Sequence, residues 1–438
     1  PQGFLQRIGL GGLQCLRNTS FWKELCWYLK HTLHLVGYLT QIFCRRFILR
    51  RMPNQASERI LILGDGLQAL SLARELKEHG YEVDVMAQHT EVVRRSRYVR
   101  YCFPIENERQ LDEMQLVNLL QEHHHRVVIP TRDIFSDWLA EHKESIQGST
   151  EAICAVEQLD KYKLASNKTS LMDFCLQHQI PCPATKQIDS EFGSHDFADI
   201  SFPALLKPAH SDGARGIGMV SSLEELKQLV PQWLNTYGGG HLQEFIHDHD
   251  YYYNVMLFRY ADGAFAAHTI IKILRYYPIS GGSSSCCVTV ENETLLSCCK
   301  NLLDALLWEG FADLDVLEKG DGDYRIIEIN PRVPASLRAA YAAGVDFGDI
   351  IASLALGKLR PFNSYQTGIQ LRCLGLDLAW FLKSPQRFSA RPSWFCFFGK
   401  KLFWQEGGIR DFRAAWASIF SGIKKQLNPE FRKEKNGF

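Results

Sequence analysis

Two runs of alternating apolar and polar residues, Ala312-Asp-Leu-Asp-Val-Leu-Glu-Lys319 and Asp323-Tyr-Arg-Ile-Ile-Glu-Ile-Asn330, flank a Gly320-Asp321-Gly322 turn. A period of two on either side of an Asp-Gly pair predicts a β-hairpin. With Asp321 and Gly322 as a two-residue loop, Asp315 falls opposite Glu328 and Asp313 opposite Asn330. All four then share one face.

Upstream, the pattern predicts a strand over Arg59–Leu63, a tight Gly64-Asp65-Gly66 turn, an amphipathic helix over Leu70–His79 stopped by Gly80, and a second strand over Tyr81–Met86. Strands at Tyr98–Phe103 and Arg126–Pro130 complete a small parallel α/β domain over 57–150. A helix follows over Tyr162–His178. Strands at Phe202–Lys207, His241–Ile246, Tyr253–Tyr260 and Phe265–Tyr276 then predict antiparallel sheets, with helices over Glu293–Gly310 and Leu337–Leu356. The fold class is α/β and α+β. The expected divisions are 1–56, 57–150, 151–362 and 363–438.

The 49 basic and 49 acidic residues cancel, but unevenly. Residues 1–56 hold eight Lys/Arg and one acid, and 380–438 hold twelve against four, which leaves 29 basic and 44 acidic residues for 57–379. An acidic body between basic ends implies an anionic partner for the ends. Residues 21–52 are helical by composition, with Trp22, Trp27, Tyr28 and Tyr38 among the cations. The C-terminal part interleaves Trp380, Trp394, Trp404 and Trp416 with Lys400, Lys401, Lys424 and Lys425. Two readings stand for each end: a helix or aromatic segment on an anionic membrane surface, or a structural cap on the body. No nucleic-acid module is recognisable, so nucleic acid ranks below both. The longest apolar run, Thr32–Cys44, is too short to span a bilayer, and residues 1–20 lack a convincing cleavage region. Thirteen cysteines without metal-type spacing read as reduced, mostly buried thiols. The expectation is a cytoplasmic protein, peripheral on the inner face of the membrane if its ends bind there, and compatible with a homo-oligomer.

Like charges facing each other across strands repel, so a fold that opposes Asp315 and Glu328 calls for a cation between them. Two carboxylates and the Asn330 amide form a hard oxygen set suited to Mg²⁺ shared with substrate phosphates. The alternative is a solvated acidic hairpin face. Lys207 ends a strand and leads into the Gly-rich loop Ser211–Gly218, where Gly213, Gly216 and Gly218 would let backbone N–H groups approach phosphate oxygens; a flexible hairpin tip is the alternative. The turn Gly64–Ala69, with Asp84 about 20 residues on, also fits a dinucleotide fingerprint, which would make the protein an NAD(P)-dependent oxidoreductase. His123, His124 and His125 read as a solvated helix end, since consecutive side chains diverge.

Taken in order, Lys161, Lys207 with its glycine loop, Glu244, Asp315 and Glu328-x-Asn330-x-Arg332 resemble the ATP-grasp superfamily over about residues 57–360, most of all its carboxylate–amine ligases and carbamoyl-phosphate-synthase-like members. The resemblance implies a pre-ATP-grasp α/β domain followed by a two-lobed ATP-grasp domain. It implies ATP and Mg²⁺, with Mn²⁺ as a substitute, and a carboxylate activated as an acyl phosphate before an amine or thiol displaces phosphate. By the same resemblance Lys161 and Lys207 contact phosphates under a loop that includes Ser211, Gly213, Gly216 and Gly218. Glu244, Phe245 and Ile246 meet the adenine, Asp250 the ribose, and Asp315, Glu328 and Asn330 the metal. Arg332 is the candidate for the acyl phosphate or oxyanion. Lys272 and Arg275 are candidates for triphosphate or substrate carboxylate. A non-catalytic nucleotide-binding scaffold at the membrane surface is the remaining alternative, and no motif singles out one acid or amine.

Overall fold

The computed structural model describes residues 57–194, 197–210, 216–246, 251–279, 282–320, 322–358, 364–407 and 409–427. The expected N-terminal helical segment 1–56, together with Ser211, Gly213 and Asp250, lies outside the described residues.

Arg59–Leu63 (β1) is buried on both faces from Ile60 onward, as suits the middle of a parallel sheet. Gly66–Glu78 (α1) crosses to Glu82–Ala87 (β2), and Cys102–Pro104 (β3), Glu113–His123 (α2), His125–Pro130 (β4), Asp133–Ser149 (α3) and Ile153–Cys154 (β5) follow. The five strands form a parallel sheet in the order β3-β2-β1-β4-β5. Helix α1 begins four residues before the predicted start. Gly64, at φ +128°, turns the chain where a Cβ would meet the Thr131 hydroxyl oxygen at 2.3 Å.

The single helix predicted over 162–178 is two: Leu159–Ser166 (α4) and Lys168–Gln177 (α5). The chain breaks at Asn167, whose side-chain oxygen accepts from the Ser170 N–H at 3.0 Å and caps α5. Next come Thr185–Ile188 (β6), Ala204–Pro208 (β7), Gly218–Val220 (β8), Leu223–Tyr237 (α6) and Gly240–Glu244 (β9). Their strands form an antiparallel sheet, β6-β9-β7-β8, with its own core of Ile188, Leu206, Val220, Trp233 and Leu242.

A larger sheet starts with Tyr251–Arg259 (β10), Phe265–Tyr277 (β11) and Ser283–Val290 (β12). Glu293–Ala305 (α7), Gly310–Glu318 (β13), Tyr324–Asn330 (β14), Leu337–Ala343 (α8), Phe347–Ala355 (α9), Gln370–Arg372 (β15), Leu374–Lys383 (α10), Leu402–Trp404 (β16) and Phe412–Leu427 (α11) follow. The seven strands run β14-β13-β10-β11-β12-β15-β16, antiparallel except for the β15–β16 pair. The period of two gives this sheet two buried faces. Val255 and Leu257 of β10 pack with residues of α5 and α7. Met256 and Phe258 join a core shared with β1, α1, α8 and α9, so one apolar layer is common to the parallel and the large sheet.

The ten cysteines among the described residues are free thiols, eight of them buried. The C-terminal aromatics divide between packed and exposed positions. Trp380 lies under the Arg275 guanidinium, and Trp394, Phe397 and Trp404 surround that of Arg372, while Phe388, Phe398, Phe412, Trp416 and Phe420 are exposed. Among the described residues no helix is long and apolar enough to cross a membrane.

Candidate active site

The hairpin places its carboxylates in the expected pairing by an unexpected route. Asp313 is opposite Asn330 and Asp315 opposite Glu328. Near the tip, however, Glu318 pairs with Tyr324 and the Lys319 N–H donates to the Asp323 carbonyl, which makes the loop three residues long. A bulge at Ile327 then shifts the register by one and restores the pairing.

These side chains line a cavity of about 720 Å³. Asn254 and Tyr252 join them from β10, with the Asn254 amide donating to Asp315. Asn330 Nδ2 lies 3.4 Å from the second Asp315 oxygen. Cations approach from other elements. Lys168, at the start of α5, meets Glu328 at 2.9 Å, and Lys207 of β7 donates to Gln243 at 2.6 Å. Arg332 follows β14 and donates to Asp133 of α3 at 2.6 Å and to Asn330 at 3.3 Å. Gly66, Leu67 and Gln68 of α1 add wall from the parallel layer.

Burial sets the charge states. Burial and the neighbouring Glu328 and Asp313 push the Asp315 carboxyl well up. Glu328, although burial opposes it, is held at about 2 by Lys168, Asp315 and Lys207. Asp313 rises to about 7 through burial, which Arg332 counters and Glu328 reinforces, and its Oδ1 has no hydrogen-bond partner among the described residues. Burial lowers Lys207 to about 8, with Glu328 working against the shift and Lys168 for it. A fold that keeps two facing carboxylates and an unpartnered buried oxygen at one spot fits a hard divalent cation. The Asn330 amide stands at the same point, its oxygen toward Arg332 and its Nδ2 toward Asp315. Among the described residues no three His, Cys, Asp or Glu side chains converge closely enough to cage a metal by themselves. A cation here would share its shell with substrate oxygens.

Several expected residues stand elsewhere. Lys161 donates to the Leu307 carbonyl at 2.6 Å and does not line the cavity. Lys168 stands at the carboxylates instead, and the Asn167 cap was the sequence signal for it. Lys272 pairs across the sheet with Tyr253, on the face opposite the carboxylates, its ammonium 5.8 Å from that ring. Arg275 is buried behind the sheet with Nε 2.8 Å from Asp377, which also takes Arg372 at 2.7 Å. Neither Lys272 nor Arg275 reaches the cavity. Glu244, Phe245 and Ile246 lie outside its lining as well; Glu244 is bonded to Lys319 and, at 3.3 Å, to the Ala184 N–H. Gly216 packs on Tyr237 and Gly218 opens β8. Asp84, the expected ribose acid, is buried and held by Arg100 at 2.5 Å and His125 at 2.9 Å, which removes the dinucleotide reading. That contact also corrects the histidine run: His124 is the left-handed cap of α2 and His125 is buried in β4.

A parallel α/β layer, a four-stranded lobe carrying a buried lysine and a large sheet carrying paired carboxylates define the class of ATP-grasp proteins. Residues 165–336 match the ATP-grasp domain model, which places that part of the chain in the ATP-grasp superfamily. The N-terminal section of the carbamoyl phosphate synthase large chain of Methanopyrus kandleri is 26% identical over 247 residues, 51% of this chain and 40% of the relative. A D-alanine–D-alanine ligase of Francisella philomiragia is 25% identical over 228 residues, 47% of this chain and 69% of the ligase. The chain thus spans less than half the length of the carbamoyl phosphate synthase relatives it matches. In fold it is similar to the biotin carboxylase–β-γ-ATP complex from Campylobacter jejuni, with a TM-score of 0.61 at 16% identity, covering 72% of this chain and 74% of that one. It is likewise similar to an L-amino acid ligase from Bacillus licheniformis, with a TM-score of 0.53 at 15% identity, covering 70% and 78%.

Proposed function

We propose that the protein is an ATP-dependent ligase that activates a carboxylate as an acyl phosphate and joins it to an amine. The observation that carries this reading is the convergence of Lys168, Lys207 and Arg332 on Asp313, Asp315, Glu328 and Asn330 in one cavity. Phosphoryl transfer leaves little covalent work to the protein, so positioned cations are the catalytic equipment it needs. Asp315, Glu328 and Asn330 would hold Mg²⁺, which supplies charge neutralisation at phosphoryl oxygens when bound. Lys207 and Lys168 bind nucleotide phosphates, and Arg332, braced by Asp133, faces the acyl phosphate.

The far side of the cavity supports an amine as the second substrate. It lies across three strand spacings from β13, on the order of 14 Å, at β12 and the C-terminal elements. Ser284, Gln405, Glu406 and Ser421 line it, and no lysine or arginine among the described residues does. Hydrogen-bond acceptors and one carboxylate suit an ammonium group and repel a second anion.

The test is turnover of Mg-ATP with pooled amino acids and small carboxylates, ADP and AMP resolved, and Glu328→Ala as control. Pool-dependent ADP and phosphate, lost in the variant, are expected. AMP as the product would overturn the acyl-phosphate reading.

A further inference from the structure

Helix α11 has two unlike sides. Ala414, Ala417 and Ser418 are buried, and Ser418, Ile419, Ser421 and Gly422 wall the cavity. On the outer side Phe412, Trp416 and Phe420, spaced by four, expose 56%, 55% and 65% of their surface. Four-residue spacing makes them one stripe. The neighbouring helix α10, which packs on α11, exposes Leu378 and Leu382, and the segment after it exposes Phe388 (72%) and Phe398 (67%). An apolar display of this extent on a folded surface marks an interaction site.

Charge selects the occupant. Between Leu378 and Leu427 the chain has nine Lys/Arg and two acids, Glu406 and Asp411. Both acids are buried, Asp411 against Arg74 at 2.8 Å and Glu406 beside the Leu374 N–H at 2.7 Å. Lys383, Arg391, Arg410, Arg413 and Lys424 are exposed. The outer surface of this region therefore shows cations and aromatic rings and no exposed acid. Rings at headgroup depth with cations on phosphates are the chemistry of an interfacial helix. A second copy of this face would meet like positive charge around every apolar contact. Stacking on nucleic-acid bases requires separated ring faces, whereas Trp416 and Phe420 stack on each other at 5.9 Å.

We propose that the outer face of α11, with the adjoining exposed side chains of α10 and residues 388–398, docks on an anionic lipid bilayer surface. This stands independently of the ligase reading, because none of its exposed side chains belongs to the carboxylate–lysine cluster.

The test is flotation of the full chain with phosphatidylcholine vesicles containing about one third phosphatidylglycerol, and with phosphatidylcholine alone. The expected results are binding to the anionic vesicles that weakens with salt, and a loss of at least about tenfold in partitioning for the double variant Trp416→Ala/Phe420→Ala. Because both side chains are exposed, the variant should melt as the parent does. Arg413→Glu/Lys424→Glu is the second, independent variant, and it should lose binding by a similar factor while leaving the rings in place. Equal flotation of parent and both variants would overturn the proposal by assigning binding to another part of the chain. No binding at low salt would overturn it too, as would a ring-dependent dimer or a ring-dependent complex with single-stranded RNA in place of vesicle binding.

Discussion

Lys168 and Lys161 differ by seven positions and by everything else. Lys168 lies 2.9 Å from Glu328 in the cavity, while Lys161 is bonded to a carbonyl outside it. Lys168→Ala should lower ATP turnover about a hundredfold, as expected for removing one preorganised charge, and Lys161→Ala should leave it within about twofold. Lys207 adds a pH dependence. Its ammonium is lost as pH rises through about 8, so nucleotide affinity should bend downward there, and the bend should be absent in Lys207→Met. An unfolded lysine titrates near about 10.4, so between those values the unfolded chain holds the extra proton and this residue's contribution to stability rises with pH. Binding titrations and denaturant melts across the window should therefore move in opposite directions. The carboxylates were legible in the sequence because alternation alone puts Asp315 and Glu328 on one face. The choice between two lysines was not, because it depends on where a helix breaks.

That break illustrates what the element scale hides. An apolar period running from Tyr162 to His178 reads as one helix, yet a side-chain cap at Asn167 outweighs continuity and starts α5 at Lys168. Asn167→Ala should cost about 1 kcal/mol in a denaturant melt. The hairpin hides a different detail. The alternating pattern gave the right partners although the turn is one residue longer than expected, since the bulge at Ile327 compensates. Periodicity reports faces and is blind to paired irregularities that cancel. Arg275 was illegible for another reason: strand position suggested access to a ligand, but its partner Asp377 lies 102 residues on, in α10. Asp377→Ala would strand two buried guanidinium groups at once, and a loss of about 3–5 kcal/mol is expected, visible as a large drop in melting temperature.

At the scale of the molecule, the cavity draws on residues well beyond the 165–336 match: Asp133 from the parallel layer and Gln405 and Ser421 from the C-terminal elements. Asp133→Ala should reduce kcat/KM about tenfold by freeing Arg332 to swing, with the loss concentrated in kcat. Sequence reading found the parallel layer and the antiparallel strands because each carries its own period, but its limit at residue 150 left out β5. It could not assemble the cavity, whose walls meet only through long-range packing. The distribution of cores has a mechanical consequence. The parallel layer and the carboxylate-bearing sheet share one apolar layer, whereas the four-stranded lobe keeps a small core to itself. Slow amide exchange should therefore be found in β1 and β10, and faster exchange in β7 and β9. On that distribution the site should behave as a clasp with a stiffer jaw and a softer one. Lys168, Arg332 and the carboxylates sit on the stiffer jaw, and among the described lysines and arginines that line the cavity Lys207 is the one carried by the softer jaw.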